Sequence, residues 1–287
     1  MLKQLPKEAV LLCEVLYELK CNPMRYNSVF ASVLLALSLV ACDRGPLDAT
    51  DDQVDTTPSV TLAKLKIAQV PAKIALPFCE TKTCLAIEVQ TLATEDRWLD
   101  EWIALRQSQA IQSLIALDQK MSLQQAIDHF VAKSDQFLEQ SPEHSAYELA
   151  LLTRIASQRH HLVLLQLQID SQQGEKTIQN QQYFFVADRQ QKRTIKLLDI
   201  VNPQQQLYVN DLVQQAYAVW QTEHGLTENM PEKLYWGQAD WFFDQEGIGI
   251  HYRAGQIAQQ APALDIYLTQ AQTQQVLKTQ FYTSMFQ

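Results

Sequence analysis

The chain has 287 residues, of which 47% are hydrophobic and 19% charged, with a formal net charge of −9. That length suffices for one large domain or two small ones with a real core. The acidic balance and the absence of any basic block exclude nucleic acid as an expected partner, and an acidic surface favours a cationic partner only weakly.

Residues 1–23 hold Cys13, Cys21 and an amphipathic pattern of Val10, Leu11, Val15, Leu16 and Leu19. They stand ahead of what reads as an export signal, so we take Met24 as the expected start of translation, with a longer leader as the alternative. Met24 and Arg25 precede an apolar run, Val29–Val40, broken only by Ser32 and Ser38. At roughly 12 residues the run is shorter than the about 20 needed to span a bilayer core. Its charge-then-apolar layout is that of a secretory signal peptide over 24–41. The run ends in Leu39-Val40-Ala41-Cys42, which resembles the bacterial lipobox. A thiol is needed there because sulfur carries the lipid as a thioether. A lipidated Cys42 bears two or three acyl chains, enough to anchor where one chain holds only marginally. The expected location is the bacterial cell envelope, facing the periplasm or the surface.

Residues 42–60 form the expected tether. The stretch Asp43–Pro58 is acidic, polar and nearly devoid of large apolar side chains, so it has little to pack. Beyond Cys42 the exported part holds only Cys79 and Cys84, spaced C-x4-C. In an oxidising compartment a disulfide is the simplest reading. Its short loop contributes about 2 kcal/mol by the chain-entropy estimate. Half a metal site is the competing reading, but no His or Cys pair lies nearby in sequence to complete it.

Two subdomains are expected, over 61–145 and 146–287. In the first, Thr61–Val70 and Thr83–Leu92 alternate apolar and polar as half-buried strands do, and the C-x4-C turn would join them. Glu95–Gln119 reads as a helix with Leu99, Ile103, Ala110, Leu114 and Leu117 on one stripe. Trp98 and Trp102 widen that stripe and read as core. Ser122 caps a second helix to about Gln140, with Leu123, Ile127, Phe130 and either Phe137 or Leu138 inward. Ser141-Pro142 ends it.

The period then changes to two. Ala146–Ser157 and His160–Asp170 read as an antiparallel pair turning at Gln158-Arg159. Gln181–Asp188 and Arg193–Val201 read as another pair. Leu207–Thr222 is an expected helix with Leu212, Ala216, Val219 and Trp220 inward. Trp241–Tyr252 reads as strand, acidic turn with Gly, strand. Three of the seven glycines fall between 247 and 255. A short strand at Ile266–Thr269 and one closing helix from Gln270 to about Phe286 complete the reading.

This wording resembles the extracytoplasmic domain family of RsiV-type anti-sigma factors, which also occurs in envelope lipoproteins and beside PdaC-type peptidoglycan deacetylases. The matching residues are Trp241-Phe242-Phe243, Asp244–Gly247, Ile248–Tyr252, Gln256-Ile257-Ala258 and Ile266-Tyr267-Leu268. Upstream, Ile195–Ile200 matches the family's strand entering a helix. Where the family often carries a Gly-Gly-Ala-His turn, this chain has Gln173-Gly174-Glu175-Lys176. The resemblance covers roughly residues 65–285. It implies an α+β fold of antiparallel sheets with packed helices, and function by binding: lysozyme-like protein or peptidoglycan are the ligands it suggests.

The sequence carries no G-x-S-x-G, Walker loop, H-E-x-x-H or helix-opening G-x-G-x-x-G. No cofactor, metal or catalytic residue is expected. His160 and His161 are adjacent, so on a strand they face opposite ways and cannot share a metal. The expected ligand-binding residues are Trp236, Trp241, Asp244, Glu246, His251 and Tyr252. Two other readings stay open: a cell-wall hydrolase or deacetylase built on His251 with Asp244 or Asp240, and a structural envelope-assembly lipoprotein.

Overall fold

The computed structural model describes residues 62, 64–78, 85–226 and 229–287. The expected signal segment 24–41, the lipidation site Cys42 and the Cys79–Cys84 pair lie outside the described residues.

The fold is α+β, as the alternation and helical stripes imply. A six-stranded sheet runs β1 (Ala68–Pro71), β2 (Ala86–Ala93), β3 (Glu148–Arg159), β4 (Leu162–Gln173), β5 (Lys176–Asp188) and β6 (Arg193–Ile195), in that spatial order. A three-stranded sheet runs β7 (Asp240–Phe243), β8 (Ile248–Tyr252) and β9 (Leu264–Leu268). Neighbouring strands are antiparallel with one exception: β2 lies parallel to β3, Ala86 beside Glu148. A parallel pair needs a crossover, and the two helices α1 (Arg97–Leu114) and α2 (Leu123–Gln140) supply it. The sheet and its core therefore both run across residues 145 and 146.

Helix α1 starts when Asp96 accepts a hydrogen bond from the Leu99 amide at 3.2 Å. It stops at Leu114, earlier than its apolar stripe suggests, because Ala116 takes a left-handed φ of 57°. The Leu117 amide then turns back to the Gln112 carbonyl at 3.0 Å, satisfying an end-of-helix acceptor. Trp102 is buried and donates to Thr194 Oγ1 at 2.9 Å, while Trp98 is half-buried against it. Ser122 and Gln125 form a reciprocal capping box on α2.

The hairpins differ from expectation in detail. The β3–β4 turn is His160-His161, not Gln158-Arg159, and His160 sits at φ 51°. His160 Nδ1 lies 3.0 Å from the Ser284 carbonyl, and His161 Nε2 lies 3.7 Å from Asp188. The β4–β5 turn is Gly174-Glu175, with Gly174 at φ 62°. A side chain at Gly174 would strike the Phe137 ring of α2, so both the dihedral and the space demand glycine. Strand β6 ends at Ile195, and α3 (Leu197–Ile200) follows where strand was expected.

Helix α4 (Gln206–His224) buries Val209, Val213, Tyr217 and Trp220. Val219, expected inward, is 57% exposed. The single expected closing helix is two, α5 (Gln270–Val276) and α6 (Thr279–Phe286). The break lets Leu277 bridge Val201 and lets the Lys278 amide donate to the Ile200 carbonyl at 2.8 Å.

Strand β4 shows how the layers meet. Val163, Leu165, Leu167 and Ile169 face α1 and α2, while Leu162 and Leu164 pack with the small sheet and its helices. The period of two splits one strand between two cores. No helix among the described residues is long and apolar enough to cross a membrane.

Candidate functional site

The six residues expected at a binding face fall in three places: the core, the β7–β8 turn and, for His251, the junction of the two sheets. Trp236, Trp241 and Tyr252 are 5%, 3% and 4% exposed, within the core under the small sheet. Trp241 Nε1 donates to the Ile195 carbonyl at 2.9 Å, which fastens β7 to the end of β6. Asp244 and Glu246 occupy the β7–β8 turn. Asp244 Oδ1 accepts from the amides of Glu246 and Gly247 at 2.8 and 3.2 Å, and Glu246 itself is exposed.

His251 is buried between the two sheets. Its Nδ1 lies 2.6 Å from Asp265 Oδ1 and its Nε2 lies 3.2 Å from the Gln182 carbonyl. Register places Asp240, His251 and Asp265 directly opposite one another across β7, β8 and β9. Asp244, the other acid weighed beside His251, is at the far end of β7 in the turn. Arg253 closes the row, with Nη1 2.8 Å from Asp240 Oδ2 and its guanidinium 4.5 Å above the Tyr183 ring. The Phe184 amide also donates to Asp240, at 3.4 Å. Burial holds the Asp240 carboxyl above its ordinary value, against the opposing pull of Arg253 and then His251. Sequence reasoning missed Asp265 and Arg253. The alternation Leu264-Asp265-Ile266-Tyr267-Leu268 carried the signal for Asp265, since it sends Asp265 and Tyr267 outward together.

The surface next to this row is a groove of about 600 Å³ where the small sheet meets β3, β4 and β5. One wall presents Arg154 and Arg159, and the other Asp244, Glu246 and Asp265. Arg154 Nε donates to Gln166 Oε1 at 2.6 Å, and Gln166 Nε2 passes to Gln182 Oε1 at 2.8 Å. Among the described residues neither arginine makes an ion pair, and the buried Arg159 Nε has no hydrogen-bond partner. Rings lead from floor to rim: Phe184 to Phe242 at 4.9 Å, and Phe242 edge-on to Tyr267 at 5.0 Å. Tyr267 is 57% exposed. Its phenol is held above the ordinary value by partial burial first, then by the carboxylates of Asp244, Asp265 and Glu246. The groove thus has a cationic wall, an anionic wall and an aromatic rim. Among the described residues no group of three His, Cys, Asp or Glu is placed to hold a metal ion.

The chain matches no protein-family description and no curated protein by sequence. Crystal structures that share its fold include two from bacteria. One is a DUF3298 family protein from Pseudomonas aeruginosa PAO1, with a TM-score of 0.55 and 17% identity over 78% of this chain and 97% of that one. The other is a DUF3298 family member from Bacteroides fragilis NCTC 9343, with a TM-score of 0.51 and 15% identity over 78% of this chain and 98% of that one. At such identities the likeness defines the fold, and function has to be argued from the site.

Proposed function

We propose that this chain is a lipid-anchored cell-envelope protein of the RsiV-like kind that acts by binding, and that peptidoglycan is its ligand. The carrying observation is the groove with Arg154 and Arg159 facing Asp244, Glu246 and Asp265. A cell-wall stem peptide offers carboxylates to the arginines and an ammonium to the acids. The exposed Tyr267 offers an apolar face to a sugar ring. Arginine suits carboxylate recognition because its fork donates two parallel bonds. A cationic lysozyme-like protein, the other suggested ligand, would use the acidic wall and leave the arginines without a counter-charge.

The reading is non-enzymatic. A hydrolase or deacetylase built on His251 is disfavoured, because both its ring nitrogens are engaged by acceptors and the residue is 4% exposed. The structural-assembly reading has its own support in Leu207 and Val219 of α4, which are 80% and 57% exposed.

Calorimetry of the full chain in detergent with purified muropeptides, and separately with lysozyme, tests this. Saturable muropeptide binding, lost in R154E/R159E and weakened in E246K, is the expected result. Lysozyme binding that only E246K weakens would transfer the proposal to the protein ligand. No heat with either would overturn the binding reading and favour assembly.

A further inference from the structure

A second groove, of about 830 Å³, runs beside the outer edge of β5 and is walled by the segment 253–262. We propose that it takes an extended peptide, which adds as a strand along Lys176–Gln179 and directs a carboxylate toward Lys176.

The backbone of β5 carries the argument. Its outer edge is satisfied along two stretches and open along a third. Strand β6 pairs only Val186–Asp188. Next, the Phe184 amide and the Gln182 carbonyl are taken by the side chains of Asp240 and His251. Toward the turn, among the described residues, nothing bonds the outward backbone of Lys176–Gln179. An unpaired row of N–H and C=O groups is a template for a further strand. Four residues at about 3.3 Å each give a run of about 13 Å. Asn180 ends it: at φ 51° it turns its amide back to Asp170 Oδ1 at 2.6 Å, and the register with β4 shifts there. Such a bulge keeps the long edges of two copies from pairing while leaving the short stretch open.

The lining identifies the ligand. Among the described residues it contains no Asp or Glu, although the chain as a whole carries −9. Gln179, Gln181, Gln256, Gln259 and Gln260 supply amides that both donate and accept. Lys176 is exposed, so a carboxylate is the complementary charge. A glycan fits less well. The one aromatic ring among the described residues of the groove, Tyr183, is 3% exposed and covered by Arg253, so this ring has no free face to stack on a sugar.

The test uses the full chain in detergent and a library of fluorescein-labelled hexapeptides with free C-terminal carboxylates. Anisotropy should find saturable binders. Hydrogen exchange should then slow about ten-fold at amides within 176–179. K176E, or amidation of the peptide terminus, should weaken binding about ten-fold through the lost charge contact. E246K and R154E/R159E, in the other groove, should leave it unchanged. Failure of every peptide to bind would overturn the proposal, as would protection appearing outside β5. Slowing of the same amides by a peptide-free polysaccharide would overturn it too. The arginine variants separate this outcome from that of the muropeptide experiment.

Discussion

His251 of β8 and Asp265 of β9 face each other across the ladder, 2.6 Å apart between Nδ1 and Oδ1. The same ring reaches out of its own sheet to the Gln182 carbonyl of β5 and stands edge-on to Phe184 at 5.0 Å. One side chain thus fastens the small sheet to the large one. Replacing His251 with alanine leaves a part-buried carbonyl unpaired and removes ring packing, so a loss of about 2–4 kcal/mol is expected. Asp265→Asn should cost less, about 1 kcal/mol, because Asp265 is half exposed. Urea unfolding of the two variants checks the order; equal effects would contradict it.

Asp240 and Arg253 form the neighbouring tie. The Asp240 carboxyl is raised above 3.8, chiefly by burial. A raised carboxyl favours the protonated folded form. Its stabilising contribution is therefore complete below the unfolded value and is lost as pH rises through the folded one. Asp240→Asn should flatten the stability profile from 3.8 upward, measured as the urea midpoint against pH. Removing the cation instead, by Arg253→Ala, strands a buried carboxylate, and a loss of about 3–5 kcal/mol at neutral pH is expected.

Two buried tyrosines should respond in opposite senses to loss of the hydroxyl. Tyr217 donates to the Pro231 carbonyl at 2.8 Å, so Tyr217→Phe should cost about 1 kcal/mol. Among the described residues the buried Tyr252 hydroxyl has no partner, so Tyr252→Phe should be neutral or stabilising by up to about 1 kcal/mol. Burial also raises the Tyr252 phenol far above its ordinary value. In an alkaline absorbance titration, Tyr252→Phe should remove a phenolate that appears only as the fold opens. A phenolate lost from the early part of the curve would contradict this.

Gly247 and Gly249 are the tightest positions of the small sheet. A Cβ at Gly247 meets the Leu268 carbonyl, and one at Gly249 meets the Phe242 ring. Gly247→Ala presses on backbone and should cost about 3 kcal/mol, whereas the Phe242 ring can shift, so Gly249→Ala should cost about 1–2 kcal/mol. Moving Phe242 also disturbs its contact with Tyr267, so Gly249→Ala should weaken muropeptide binding while leaving peptide binding at β5 intact.

Local pattern made most elements legible. The alternation of β3, β4 and β9 and the stripes of α1 and α2 lie in consecutive residues, because side-chain direction repeats every 2 or 3.6 positions. Boundaries set by distant partners were not legible. The break between α5 and α6 exists because Leu277 pairs with Val201, and β6 stops where α3 must begin. Val219 read as inward because it is apolar, yet Val213 and Tyr217 hold the face that packs.

The sequence by itself determined the α+β class, the acidic β7–β8 turn and the absence of familiar catalytic motifs, since each is a property of composition or short spacing. Tertiary structure alone decided which aromatics reach solvent. Trp236, Trp241 and Tyr252 sank into the core while Tyr267 stayed at the rim, because strand alternation names two faces without saying which one another layer will cover. It also decided that Arg154 and Arg159 stand opposite Asp244, Glu246 and Asp265. Those residues come from a strand, a turn and another strand far apart in the chain, and only the docking of one sheet on the other brings their charges together.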